Sequence, residues 1–268
     1  MKNFALKRTA LVVFGLAMFA VLPARADEWS KTYQLTGQPD LRIETSDANI
    51  RVTTWEQNKI EAKVVTTRYK IGEDGIRIEE HQAGNSVQIE VHYPHHGFNI
   101  SFGSSRVDII IQMPREGNVS LRTGDGKIDL AGLKGAMDLH TGDGSENLDN
   151  VEGKLHATTG DGHIRANGRF DALELKTGDG SVEVRASAGS SLNSGWRLET
   201  GDGSVSLEVP GDLAADVDLH TSDGHIDLDM PVTTSGKLRQ NEIQGKLNGG
   251  GSSLVIRTGD GSIHLKKA

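Results

Sequence analysis

The chain has 268 residues, a formal net charge of −8 and no cysteine. Its negative balance repels nucleic-acid phosphates and anionic lipid. The lack of thiols excludes disulfides, thiol catalysis, cysteine-bound metals and a lipid-modified amino-terminal cysteine, so stability rests on packing and hydrogen bonds.

In chain order, Lys2, Lys7 and Arg8 form a basic start, Ala10 to Leu22 an apolar run, and Ala24-Arg25-Ala26 a small-x-small site. This pattern predicts a secretory signal peptide over 1–26, cut after Ala26. The run is too short to span a bilayer comfortably, so no membrane span is expected after removal of the signal. Losing its four positive charges takes the net charge from −8 to −12. The mature protein is expected in the periplasm or outside the cell. Its length, about 240 residues, suits one elongated domain or two compact ones.

Around Thr45-Ser46-Asp47-Ala48 stand Leu41, Ile43, Ile50 and Val52, a degenerate first copy of a unit that recurs further on. Between 53 and 118 longer strands are predicted at Ile60 to Tyr69, Val87 to Tyr93 and Val107 to Met113. These make 27–118 a strand-rich cap over one open end of a stack. Within the cap, His92, Tyr93, His95, His96, Phe98 and Phe102 crowd one loop. Its aromatics suggest a contact loop for a partner. Its imidazole spacing suits zinc, but no acid or cysteine beside it in sequence completes a ligand set, and no metal is assigned.

From 119 to 268 one phrase governs the chain. Thr-Gly-Asp-Gly or Thr-Ser-Asp-Gly occurs seven times, with its threonine, aspartate and last glycine at Thr123, Asp125 and Gly126; Thr141, Asp143 and Gly144; Thr159, Asp161 and Gly162; Thr177, Asp179 and Gly180; Thr200, Asp202 and Gly203; Thr221, Asp223 and Gly224; and Thr258, Asp260 and Gly261. The first four copies are 18 residues apart. Apolar residues hold fixed columns four and two positions before each threonine, and five and seven after it. Period-two alternation on both sides of a turn predicts strand, turn, strand. A unit of that size buries its apolar face only by stacking on its neighbours. The expected fold is therefore an all-β, single-stranded β-solenoid of about 18-residue rungs.

Asp-Gly is a turn signal, because glycine accepts positive φ and aspartate bonds nearby N–H groups. The phrase is accordingly read as a structural corner, with each carboxylate accepting hydrogen bonds from turn N–H groups and threonine hydroxyls. Calcium is disfavoured because the opposite turns, such as AGLKG and NGRFD, share no ligand pattern. Three further expectations concern single places. Glu146 sits in an isoleucine and valine column and should be turned outward by a bulge, since an unpaired buried carboxylate is costly. Leu238-Arg239-Gln240 suggests an unmarked rung. The carboxy-terminal rung should be an exposed edge guarded by Lys266 and Lys267.

Val-Asp-Ile-Ile-Ile-Gln-Met-Pro (107–114), the period-18 turns, and Leu-Asn-Gly-Gly-Gly followed by Leu-Val-Ile-Arg-Thr-Gly-Asp-Gly-Ser-Ile (247–263) resemble the bacterial putative-adhesin family of exported β-strand-repeat proteins. The resemblance covers 27–268 and implies an all-β solenoid in the cell envelope. It brings no catalytic, cofactor or metal residues. The expected function is a non-catalytic binding module for an envelope glycan or protein. A purely structural envelope protein and a polysaccharide-active enzyme on a β-helix are the alternatives.

Overall fold

A computed structural model describes residues 26–67, 69–94, 106–234 and 239–268. The signal segment and the loop residues His95, His96, Phe98 and Phe102 lie outside them. The described residues form twenty-one strands and no helix, joined by pairing into one open sheet. The alternation read from the sequence produces this. In Asn118–Thr123, for example, Val119, Leu121 and Thr123 are buried while Arg122 is exposed.

Each copy contributes one strand before its turn and one after it, and each kind stacks in parallel with its own kind. Before the turns, Val119 lies beside Met137, Met137 beside Leu155, and Leu155 beside Leu173. After the turns, Ile128 lies beside Glu146, Glu146 beside Ile164, and Ile164 beside Val182. The inward residues of both stacks meet in one aliphatic core with few aromatic rings, among them Phe170 packed edge-to-face on Trp196 at 6.3 Å. Strands Glu146–Thr159 and Ile164–Thr177 run through two copies without a break, with register shifts at Leu148/Val151 and Gly153/Lys154 where the chain bends.

Spatial order departs from chain order at both ends. The last copy, strands Ser253–Thr258 and Ile263–Lys267, is inserted between the copies at 196–209 and 215–228, pairing with each. The carboxy-terminal rung is thus interior, and Lys266 and Lys267 lie beside Glu208 and Val209. The expected edge is instead Ile226–Leu228, whose apolar side chains are only half-buried. At the other end, the degenerate copy, strands Asp40–Thr45 and Asn49–Trp55, lies between the 118–131 copy and strands Ser86–His92 and Arg106–Pro114. Antiparallel strands then finish both stacks: Arg77–Ala83 on one, Lys59–Thr67 and Asp27–Gln34 on the other.

The unmarked rung is also corrected. Glu242–Leu247 runs antiparallel to Ala215–Thr221 and closes that stack together with Val232–Thr234. Leu238 lies outside the described residues.

Candidate functional site

The repeated turns are built from backbone. In the copy at 159, Gly160 N–H donates to Gly142 O at 2.5 Å and Asp161 N–H to the same oxygen at 3.3 Å. Thr159 Oγ1 donates to Gly144 O at 2.9 Å and accepts from Gly162 N–H at 3.2 Å. Thr177, Thr200, Thr221 and Thr258 repeat both bonds, so a ladder of hydroxyls ties each turn to its neighbour. Thr123 donates to Ala48 O, and Thr141 to Gly144 O of its own turn.

The turns therefore spend their donors on glycine carbonyls. Asp125, Asp143, Asp161, Asp179, Asp202, Asp223 and Asp260 are exposed, and among the described residues their carboxylates receive no hydrogen bond, contrary to the expectation from Asp-Gly chemistry. The glycines have a different reason as well. None in the phrase has positive φ. A Cβ on Gly162 would overlap Gly144 O, and the last glycine of every other copy meets the neighbouring turn in the same way. Close approach of stacked backbones, rather than handedness, selects glycine there. At the first glycine a Cβ on Gly142, Gly160, Gly178, Gly201 or Gly259 would sit 2.6–3.0 Å from the neighbour's oxygen. Ser222 fits with its N–H at 2.9 Å from Gly259 O, where Gly160 N–H lies at 2.5 Å from Gly142 O. Ala48 belongs to the copy whose outer neighbours, Ser86–His92 and Arg106–Pro114, are joined by a sequence without the repeated phrase.

Glu146 is fully buried, in register between Ile128 and Ile164, and neither carboxylate oxygen has a partner. No bulge turns it outward, because the register shifts lie beyond Leu148. Burial, with a smaller contribution from Asp138, pushes its carboxyl up to about 8, so the group avoids the cost of a buried charge by keeping its proton.

On the outer face of the pre-turn stack runs a groove of about 700 Å³. It crosses seven copies, from Asp40 through Ser120, Asp138, His156, Glu174 and Arg197 to Val255. At about 4.8 Å per rung, that is about 29 Å. Ala136, Ala172 and Ser194 keep it open because they are small, and buried Trp196 underlies it with its indole N–H donating to Ser191 O at 3.2 Å. Along it Asp138 pairs with Arg122 at 3.2 Å and Arg197 with Glu199 at 2.7 Å, and His156 Nδ1 lies 3.4 Å from Glu174 Oε2. Lys154 has no ion-pair partner among the described residues. The sequence marks this column only as solvated; the groove arises from small outward residues that no motif announces.

Of the expected contact loop, His92 and Tyr93 are described. Tyr93 is half-buried, packed edge-to-face on Tyr69 at 5.8 Å, and burial raises its pKa, so it is no free aromatic contact. His92 faces two acids: Glu90, two residues before it, and Glu79, which the hairpin brings from the neighbouring strand.

No helix of the described residues is long and apolar enough to cross a membrane. None of the curated proteins matches this chain. A solved structure described as a putative adhesin from Bacteroides fragilis aligns with a TM-score of 0.50 and 11% identity, covering 89% of this chain and 97% of that one. A putative cell adhesion protein from Clostridium sporogenes gives 0.46 and 14%, covering 91% and 100%. A putative lipid binding protein from Parabacteroides distasonis gives 0.39 and 12%, covering 89% and 96%. The first of these shares the fold, and residues 116–206 match the Toastrack DUF4097 family. The match covers 91 of the 268 residues and agrees with the resemblance to the putative-adhesin family.

Proposed function

We propose that the protein is an exported, non-catalytic binding module of the cell envelope that holds a linear glycan along the outer groove. In this reading, 27–118 forms the cap and 119–268 a solenoid of about 18-residue rungs. The supporting observation is the groove itself: five successive copies present a polar side chain, Ser120, Asp138, His156, Glu174 and Arg197, at a regular interval over small residues. A peptide added as a strand would need an open sheet edge. Most strands beneath the groove are paired on both sides, so recognition falls to side chains, as suits the hydroxyls of a sugar chain. The name of the Bacteroides fragilis relative is consistent with binding.

The test is a screen of the chain against envelope glycans and extended peptides, with release of reducing ends assayed alongside. Binding without cleavage, lost in Ala172→Tyr because the groove is filled, supports the reading. Cleavage of a bound glycan would make the protein an enzyme, and absence of all binding would leave a structural role.

A further inference from the structure

We propose that Glu79, Glu90 and His92 form a zinc(II) site on the outer face of the hairpin at 77–92. It is independent of the groove. Strands Arg77–Ala83 and Ser86–His92 pair antiparallel, with Glu79 opposite Glu90 and Arg77 opposite His92. All four side chains therefore stand on one face. Two carboxylates directly across a strand pair repel each other, and among the described residues the one lysine or arginine paired with them is Arg77, whose Nε reaches Glu79 Oε1 at 3.0 Å.

The remaining atoms converge. His92 Nε2 lies 3.4 Å from Glu90 Oε2 and 4.0 Å from Glu79 Oε2, and one ligand atom from each of the three residues falls within 4.8 Å of the other two. In a tetrahedral site with zinc–ligand bonds of about 2.05 Å, ligand atoms stand about 3.35 Å apart. The His92–Glu90 distance already meets that value, and Glu79 Oε2 has to close on His92 Nε2 by about 0.65 Å.

Two further observations separate this from a cluster of surface acids. Among the described residues His92 Nε2 has no hydrogen-bond partner and is itself shielded from water, while the rest of the ring is exposed, the side chain being 41% exposed. The oxygens that point away from the convergence are held: Glu90 Oε1 by Gln88 Nε2 at 2.7 Å, and Glu79 Oε1 by Arg77. Outer partners of this kind orient metal ligands. Glu90 and His92 also line a hollow of about 570 Å³, which leaves room for water or a partner's donor at the fourth position. A nitrogen with two carboxylates and an open position is a set that zinc accepts.

The experiment is zinc titration of the untagged full chain by calorimetry, with retained metal measured after dialysis. The expected result is a binding event that weakens by at least about tenfold in His92→Ala and Glu90→Gln, by about tenfold in Gln88→Ala, and not in His225→Ala. Glu79→Gln, at an exposed strand position, guards against loss through misfolding, since far-ultraviolet dichroism should stay unchanged while zinc affinity falls. Absence of zinc binding, or affinity unchanged in both His92→Ala and Glu90→Gln, would overturn the site.

Discussion

At the scale of single residues, three positions separate what the repeat requires from what it tolerates. Gly162 is held by contact with Gly144 O, so Gly162→Ala must push two rungs apart and should cost about 3 kcal/mol in chemical denaturation. Its neighbour Asp161 makes no side-chain bond among the described residues; Asp161→Ala should change stability by no more than about 0.5 kcal/mol, and a larger loss would show that the carboxylate has a bonded role. Glu146 couples stability to pH. Below about pH 4.5 both folded and unfolded chains hold its proton. As pH rises toward 8 the unfolded chain releases the proton and the folded chain keeps it, so stability falls across that window and levels off above it. Glu146→Val should abolish the decline and stabilise the protein at neutral pH by on the order of 4 kcal/mol. Equal pH profiles for the two proteins would mean that Glu146 reaches water.

At the scale of strands, the threading of the last copy has the largest consequence. Ser253–Thr258 separates Trp196–Thr200 from Ala215–Thr221, and Ile263–Lys267 separates Val205–Val209 from Ile226–Leu228. Deleting 253–268 should therefore open two gaps, expose four interior strand edges and abolish cooperative unfolding instead of trimming a frayed end. At this end the open edge of the post-turn stack is Ile226–Leu228, where Asp227 is the outward charge, flanked by His225 at 3.2 Å and His264 at 3.0 Å. Charges on open edges oppose pairing between molecules. Asp227→Thr should promote self-association in sedimentation experiments, whereas changing Lys266 and Lys267 to threonine should not.

For the molecule as a whole, the sequence discloses the strands but not their order. Val119, Met137, Leu155, Leu173, Trp196, Val217 and Leu254 are buried as their column requires. Because every copy offers its neighbours the same apolar pattern, any two of them would match in register, and nothing in the pattern says that 253–267 belongs between 196–209 and 215–228. Glu146 keeps its place in the column without a bulge because burial favours its protonated form, which removes most of the charge penalty. The pairing of Glu79 with Glu90 had a readable cue: Gly84, at φ 61°, and Asn85 form the two-residue turn that sets the hairpin register. The groove had none, since it is the space left by Ala136, Ala172 and Ser194 on separate rungs.

The central functional claim is that this space, about 29 Å long, receives a single extended glycan. Calorimetry with a size-graded series of whichever envelope oligosaccharide binds is the most direct measurement. The account predicts affinity that rises with each added sugar until the groove is spanned and then levels off, with the rise ending earlier in Ala172→Tyr. Affinity that is independent of chain length, or unchanged in that variant, would contradict it.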